Sequence, residues 1–262
     1  MHSLERLLEI MRRLRDPDRG CPWDRRQTYA SIVPHTLEEA YEVADAIERG
    51  DFEELREELG DLLFQVVFYS QIAAEEGRFD FAAVAEAVAG KLVRRHPHVF
   101  GSAQVGDAEA QSADWERHKA AERAAKAQEA GRAGSRLDGV SQPLPATVRA
   151  AKLQKRAARA GFDWPAAGPV LDKLREEADE LQAALSADDA AAVAEELGDL
   201  LFTCVNLSRK LGHDPESILR AANRKFEGRF RHMEAALGAE LEALDAAALE
   251  SAWERAKREE KG

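Results

Sequence analysis

The octapeptide EELGDLLF stands at Glu57–Phe64 and again, letter for letter, at Glu195–Phe202. An identical word in each half of a 262-residue chain implies two related halves, each able to bury a modest core. Around the repeat, strand signals are nearly absent and helical spacing recurs. Leu4, Leu7, Leu8, Met11 and Leu14, for example, follow the i, i+3, i+4, i+7 pattern. The fold class read from this is all-α, with two tandem helical-bundle domains over residues 1–123 and 144–262. The small and polar residues of KAQEAGRAGSRLDGVSQPLP suit a linker, taken as 124–143.

Helix punctuation fills in each half. After the turn-rich DPDRGCPWD, Thr36 is read as the N-cap of a helix running to about Glu48, with Gly50 as its stop. Asp51 caps the next helix, which carries the octapeptide and ends near Gly77. Asp80 opens a third, to about Arg95; a loop beginning HPHVFGS and a short helix from Trp115 to Arg123 follow. The second half repeats the order: Pro145 to Ala160, the turn GFDWPAAGP, Val170 to Leu185, Asp189 to Leu211, a strong start at Asp214-Pro215, and a last helix holding Trp253.

The repeat brings its partners with it. Glu39 to Glu58 and Glu42 to Asp61 are 19 residues apart, and so are Glu177 to Glu196 and Glu180 to Asp199. Each i, i+3 pair shares a helix face. In an antiparallel hairpin turning at Gly50, Glu39 pairs in height with Asp61 and Glu42 with Glu58. Turning at Asp188, Glu177 pairs with Asp199 and Glu180 with Glu196. The two levels lie ~4.5 Å apart along the axis.

Four converging carboxylates would raise one another's pKa, so the arrangement suits a hard, oxygen-seeking cation, Mg²⁺ with Mn²⁺ as a substitute. A lone ExxE is ordinarily a solvated face, and Thr36 with Glu39 also fits a capping box. Mirror symmetry about a turn, found twice, favours the metal reading. Di-iron bundles need ExxH, which these clusters lack. A Nudix box needs an arginine and a glycine at fixed offsets before EELG, and both are missing.

Downstream of each cluster sits a cation pair, Lys91 with Arg95 and Lys225 with Arg229, spaced to grip a phosphate chain. WERHK and WERAK then place Trp115 before Lys119 and Trp253 before Lys257, a ring for a base beside a cation for phosphate. Lys173, one turn before Glu177, is a further candidate phosphate ligand. Its counterpart by spacing is His35, so the second half is the favoured nucleotide site. Trp23 and Trp164 are read chiefly as turn anchors.

Composition sets limits on partners. A formal charge of −12 argues against a protein that coats nucleic acid, yet carboxylate-held cations can still bridge to phosphate. No apolar run approaches the roughly 18 residues of a membrane span, and the charged, amphipathic N-terminus has no signal-peptide centre. Two cysteines, Cys21 and Cys204, form no framework. A cytoplasmic location without membrane or nucleic-acid partners is expected.

These blocks resemble the MazG-type nucleoside triphosphate pyrophosphohydrolases over essentially the whole length: EEAYE with ELGD, EEADE with ELGD, GCPWD, RRHPHVF, GFDW and KFEGRF. The resemblance implies an all-α homodimer whose bundles are completed by the partner chain. It also implies Mg²⁺-dependent hydrolysis of nucleoside triphosphates to monophosphates and pyrophosphate, with broad base specificity. Carried over, the metal ligands are Glu177, Glu180, Glu196 and Asp199, with Lys225, Arg229 and Trp253 around the nucleotide. The first-half set is Glu39, Glu42, Glu58, Asp61, Lys91, Arg95 and Trp115. Glu195 or Glu176 would position the attacking water. A departure is SADDAAAVAEE before the second cluster, which offers no lysine there. The rival readings are a non-catalytic helical scaffold and a specialist for dUTP or phosphoribosyl-ATP.

Overall fold

The computed structural model describes residues 3–102, 107–129, 131 and 133–259. Its elements are helices: α1 Ser3–Leu14, α2 Tyr29–Arg49, α3 Phe52–Glu75, α4 Phe81–Arg95, α5 Pro97–Phe100, α6 Ala108–Glu129, α7 Ala146–Arg159, α8 Ala167–Ser186, α9 Ala190–Lys210, α10 Pro215–Leu237 and α11 Ala246–Glu259, with short 3₁₀ turns at Asp24–Arg26 and Gly238–Ala243. No strand occurs among the described residues. The chain divides into compact units at 1–118 and 119–262.

In unit 1, α2 and α3 form a tight hairpin. Gly50 ends α2 with φ 71°, a left-handed conformation that lets the chain reverse at once. The Asp51 carboxylate then accepts from the Glu54 amide, capping α3. The core lies where α1, α2 and α3 meet, built from Met11, Ile32, Val67, Phe68 and Ile72 with Leu7, Leu8, Tyr29, Phe64 and Phe81 against it. Asp80 caps α4 as read from sequence.

The start of α2 differs from the sequence reading. It begins at Tyr29, capped by Thr28, whose side chain accepts from the Ser31 amide while the Ser31 side chain accepts from the Thr28 amide. Thr36 is therefore interior: its hydroxyl donates to the Ile32 carbonyl at 3.1 Å and bonds the Tyr69 hydroxyl at 2.9 Å. Pro34 sits inside the helix without stopping it. The proposed Thr36–Glu39 capping box is thus overturned, which releases Glu39 for the site. Pro97 begins the short helix α5, directly after His96, where a loop was expected.

In unit 2, α8 and α9 repeat the hairpin. Asp188, with φ 54°, takes the left-handed turn position that Gly50 holds in unit 1, and is the one such non-glycine among the described residues. Asp189 and Asp214 cap α9 and α10. α7 packs on α9, and α10 packs on α7, α9 and α11. A small core of Met233, Ala252 and Ala256 joins α10 to α11, with Leu237, Leu249 and Trp253 against it. α6 extends at both ends beyond the Trp115–Arg123 helix expected, because alanine-rich sequence needs little packing to stay helical. Residues 130 and 132 of the expected linker lie outside the described residues.

Candidate active site

The hairpins bring acids together three at a time, where four were expected. Carboxylate oxygens of Glu39, Glu42 and Glu58 lie within 4.8 Å of one another, and so do those of Glu177, Glu196 and Asp199. The first triad takes two residues from the leading arm and one from the returning arm; the second takes one and two. Asp61 and Glu180 fall outside the triads. Equal height along a hairpin does not fix where each side chain carries its carboxylate: the i, i+3 pairs Glu39–Glu42 and Glu196–Asp199 stay together, while Glu58–Asp61 and Glu177–Glu180 are split.

The two outlying acids still act on their neighbours. Burial, then the Asp61 and Glu42 charges, raise the Glu39 carboxyl above the usual carboxylate range, although the Gln65 amide opposes this by donating at 3.2 Å. Burial, then Glu42, Asp61 and Glu39, raise Glu58. Burial, then Glu180, Glu177 and Asp199, raise Glu196. Oxygen-only ligands crowded until their charged forms are disfavoured are the chemistry of a site for a hard divalent cation.

Gln65 is the residue that sequence reasoning missed in unit 1. It is buried, its Nε2 holds Glu39, and its Oε1 is buried with no hydrogen-bond partner among the described residues. The available signal was its position four residues after Asp61, on the same helix face.

Raised carboxyls predict a pH dependence. The folded hairpin holds protons that the unfolded chain releases near pH 4.3, so this contribution to stability is full below that range and is lost as pH rises through the raised values. Glu58→Gln in EDTA should match the parent at low pH and become progressively the more stable of the two as pH rises toward neutrality. Melting temperatures across pH 3.5–8 read this directly. A difference that shrinks with pH would mean that the carboxylate is stabilised in the fold.

Lys173 lies inside the second acid cluster. Its Nζ is 2.6 Å from Glu176, 3.0 Å from Glu177 and 3.9 Å from Glu180. Hydrogen bonds to Glu176 and Glu177 push its pKa well above the usual lysine range. Glu177 is buried, Glu196 half-buried and Glu176, Glu180, Glu195 and Asp199 exposed. In unit 1 the counterpart His35 instead faces Glu38 at 3.6 Å, with Trp23 edge-on at 6.1 Å. Trp23 is largely exposed, so it is no buried turn anchor.

The cations nearest the tryptophan rings are the arginines, not the lysines that follow them in WERAK and WERHK. The Arg229 guanidinium lies 5.7 Å from the Trp253 ring centroid, and Phe226 lies 5.3 Å from the same ring. Phe226 was not singled out from sequence, though it directly follows Lys225. Lys225 is exposed on α10, and the Lys257 ammonium donates to Glu254. In unit 1 the Arg95 guanidinium lies 4.9 Å from the Trp115 centroid and His96 5.1 Å from it. Lys91 is half-buried on α4. Lys119, half-buried on α6, falls at the first position of unit 2.

Gly60 and Gly198 present open faces: among the described residues a Cβ built at either meets nothing within 4 Å.

The model of the MazG nucleotide pyrophosphohydrolase domain matches residues 27–100 and 169–234, spanning both acid hairpins. A nucleoside triphosphate pyrophosphohydrolase of Escherichia coli K12 is 53% identical over 99% of both chains. A nucleoside triphosphate pyrophosphohydrolase/pyrophosphatase MazG of Thermotoga maritima is 44% identical, over 97% of this chain and 95% of that one. A crystal structure of a mazG-related protein from Thermotoga maritima aligns with 44% of this chain and 98% of its own, at 28% identity and a TM-score of 0.38. With both hairpins matched and near-complete coverage by a relative of that identity, the chain belongs to the MazG nucleotide pyrophosphohydrolase domain family.

Proposed function

We propose that the protein hydrolyses nucleoside triphosphates to monophosphates and pyrophosphate, and that unit 2 carries the better site. The observation that carries this is the convergence of carboxylates within 4.8 Å at equivalent places in two hairpins, in a chain 53% identical to a named pyrophosphohydrolase. The donor set fits Mg²⁺, or Mn²⁺ in its place: Glu177, Glu196 and Asp199 would hold it, with Glu180 alongside. Glu39, Glu42 and Glu58, with Asp61 alongside, are the equivalent set in unit 1. A cation so held supplies charge neutralisation at phosphate oxygens and a more acidic water.

The chain's own groups do the rest. Lys225 and Arg229 bind the phosphate chain and meet the charge that builds on the departing pyrophosphate. Trp253 stacks the base, with Lys257 beside it; stacking reads no base edge, which supports broad specificity. Lys91, Arg95 and Trp115 are the corresponding candidates in unit 1; Lys119, the counterpart of Lys257 by spacing, lies outside that unit. Glu195 or Glu176, both exposed beside the triad, orients the water. The water oxygen bonds the α-phosphorus, the bond to the α–β bridging oxygen breaks, and the water proton leaves to a carboxylate or to solvent.

The working molecule in this reading is a homodimer. Leu59 and Leu63 on α3, and Leu197 and Leu201 on α9, are exposed apolar pairs at i, i+4 beside the open faces of Gly60 and Gly198. A second copy would cover them. No helix among the described residues is long and apolar enough to cross a membrane, and Cys21 and Cys204 are free thiols, which fits a cytoplasmic setting.

Product analysis tests the reaction. With ATP, GTP, CTP and UTP plus Mg²⁺, the expected products are the monophosphate and one equivalent of pyrophosphate. In H₂¹⁸O the label should appear in the monophosphate. Orthophosphate with a diphosphate product, or label in pyrophosphate, would exclude attack at the α-phosphorus.

A further inference from the structure

We infer that Lys173 is a built-in counter-cation of the unit 2 site, which a divalent ion must displace and which then turns to the nucleotide's phosphates. This rests on the metal reading of that site. The Lys173 side chain starts one turn before Glu177 on α8 and folds along the helix, so that its ammonium reaches Glu176, Glu177 and Glu180 at 2.6, 3.0 and 3.9 Å. The Glu177 side chain is only 6% exposed. A buried carboxylate stripped of its cation is strongly disfavoured, so the lysine can leave only as another cation arrives. The event is an exchange.

The exchange couples two ligands. A divalent ion at Glu177, Glu196 and Asp199 repels an ammonium that sits about 3 Å from one of those ligands. The lysine side chain is about one-third exposed and its flexible stem can swing outward, where a triphosphate would offer it new partners. Metal binding thus frees a phosphate ligand, and by linkage phosphate binding favours the metal. Unit 1 has no such device, because His35 stands at the lysine's place and contacts Glu38, which is not a member of its triad. The two acid sites, alike in ligands, would load their cations differently.

The test uses the full-length chain carrying Glu58→Gln to silence unit 1, with Mn²⁺ binding followed by electron paramagnetic resonance. Adding Lys173→Met should tighten Mn²⁺ binding about tenfold, since a removed unit charge this close is worth roughly that factor against a divalent ion. A non-hydrolysable α,β-methylene nucleoside triphosphate should tighten Mn²⁺ binding in the Glu58→Gln parent, and clearly less in the Lys173→Met protein. Lys173→Arg should keep the parent's Mn²⁺ affinity.

Unchanged Mn²⁺ affinity in Lys173→Met would overturn the inference. So would Lys173→Arg binding as tightly as Lys173→Met, which would assign the effect to shape. An equal nucleotide effect with and without the lysine would mean that Lys173 stays on its acids, again overturning the exchange. If the Glu58→Gln parent binds no Mn²⁺ at all, the metal reading of unit 2 itself fails and this inference falls with it.

Discussion

Replacing Glu196 by glutamine is expected to lower nucleoside triphosphate hydrolysis by about a hundredfold or more. Glutamine keeps the shape and removes the charge. Even groups that only support a metal ligand account for about ten- to a hundredfold, and Glu196 is itself one of three converging carboxylates. Its carboxyl is raised by burial and then by the Glu180, Glu177 and Asp199 charges, so the loss of one charge is felt by all of them. The matching change in unit 1, Glu58→Gln, should cost far less, because Lys173 has no equivalent there. Activity of the parent should vanish in EDTA and return with Mg²⁺. Steady-state rates of pyrophosphate release on the three proteins decide the matter. Near-complete loss from Glu58→Gln alone would move the working site to unit 1, and EDTA-resistant turnover would remove the metal from both.

How far the sequence carried this site depends on which physics each residue obeys. Gly50, Asp51, Asp80, Asp189 and Asp214 act within a turn of their own position, so their roles at helix ends could be read directly. The hairpins then followed from short connections, and the meeting of acids from the hairpins.

What escaped is what depends on angle and competition. Thr28 and Thr36 both look like caps, and Pro34 between them looks like a boundary. The structure chooses Thr28, whose cap is completed by Ser31 and not by a glutamate, and leaves Thr36 to tie α2 to Tyr69 on α3. The heights of Asp61 and Glu180 were legible, their exclusion from the triads was not. Lys173 shows the competition: one turn before two glutamates, the spacing that suggested a phosphate ligand equally makes an i, i+4 ion pair, and the structure has the pair.

Phe68→Ala should be the most destabilising single truncation in unit 1, at about 3–5 kcal/mol. Phe68 is fully buried at the junction of three helices, touching the core of Met11 from α1, Ile32 from α2 and Val67 and Ile72 from α3. Its ring meets Phe64 edge-on at 5.7 Å, and the Arg15 guanidinium lies 5.3 Å from its centroid. That arginine is itself fixed by Glu75 at 2.6 Å, so the surrounding groups are poorly able to close a cavity. A loss of this size is a large part of the roughly 5–15 kcal/mol that holds an ordinary domain together. Phe52→Ala is the control: its side chain is 78% exposed, and its removal should change stability by no more than about 0.5 kcal/mol. Denaturant titration of the full chain, following the transition that shifts, measures both. Equal effects of the two changes would refute the core assignment. The same loss should weaken cation binding by the Glu39, Glu42 and Glu58 triad, because α2 and α3 carry its ligands and are held in register by the core that Phe68 fills. A saturating divalent ion should therefore restore part of the lost stability by mass action, and restore less when Glu58→Gln is added.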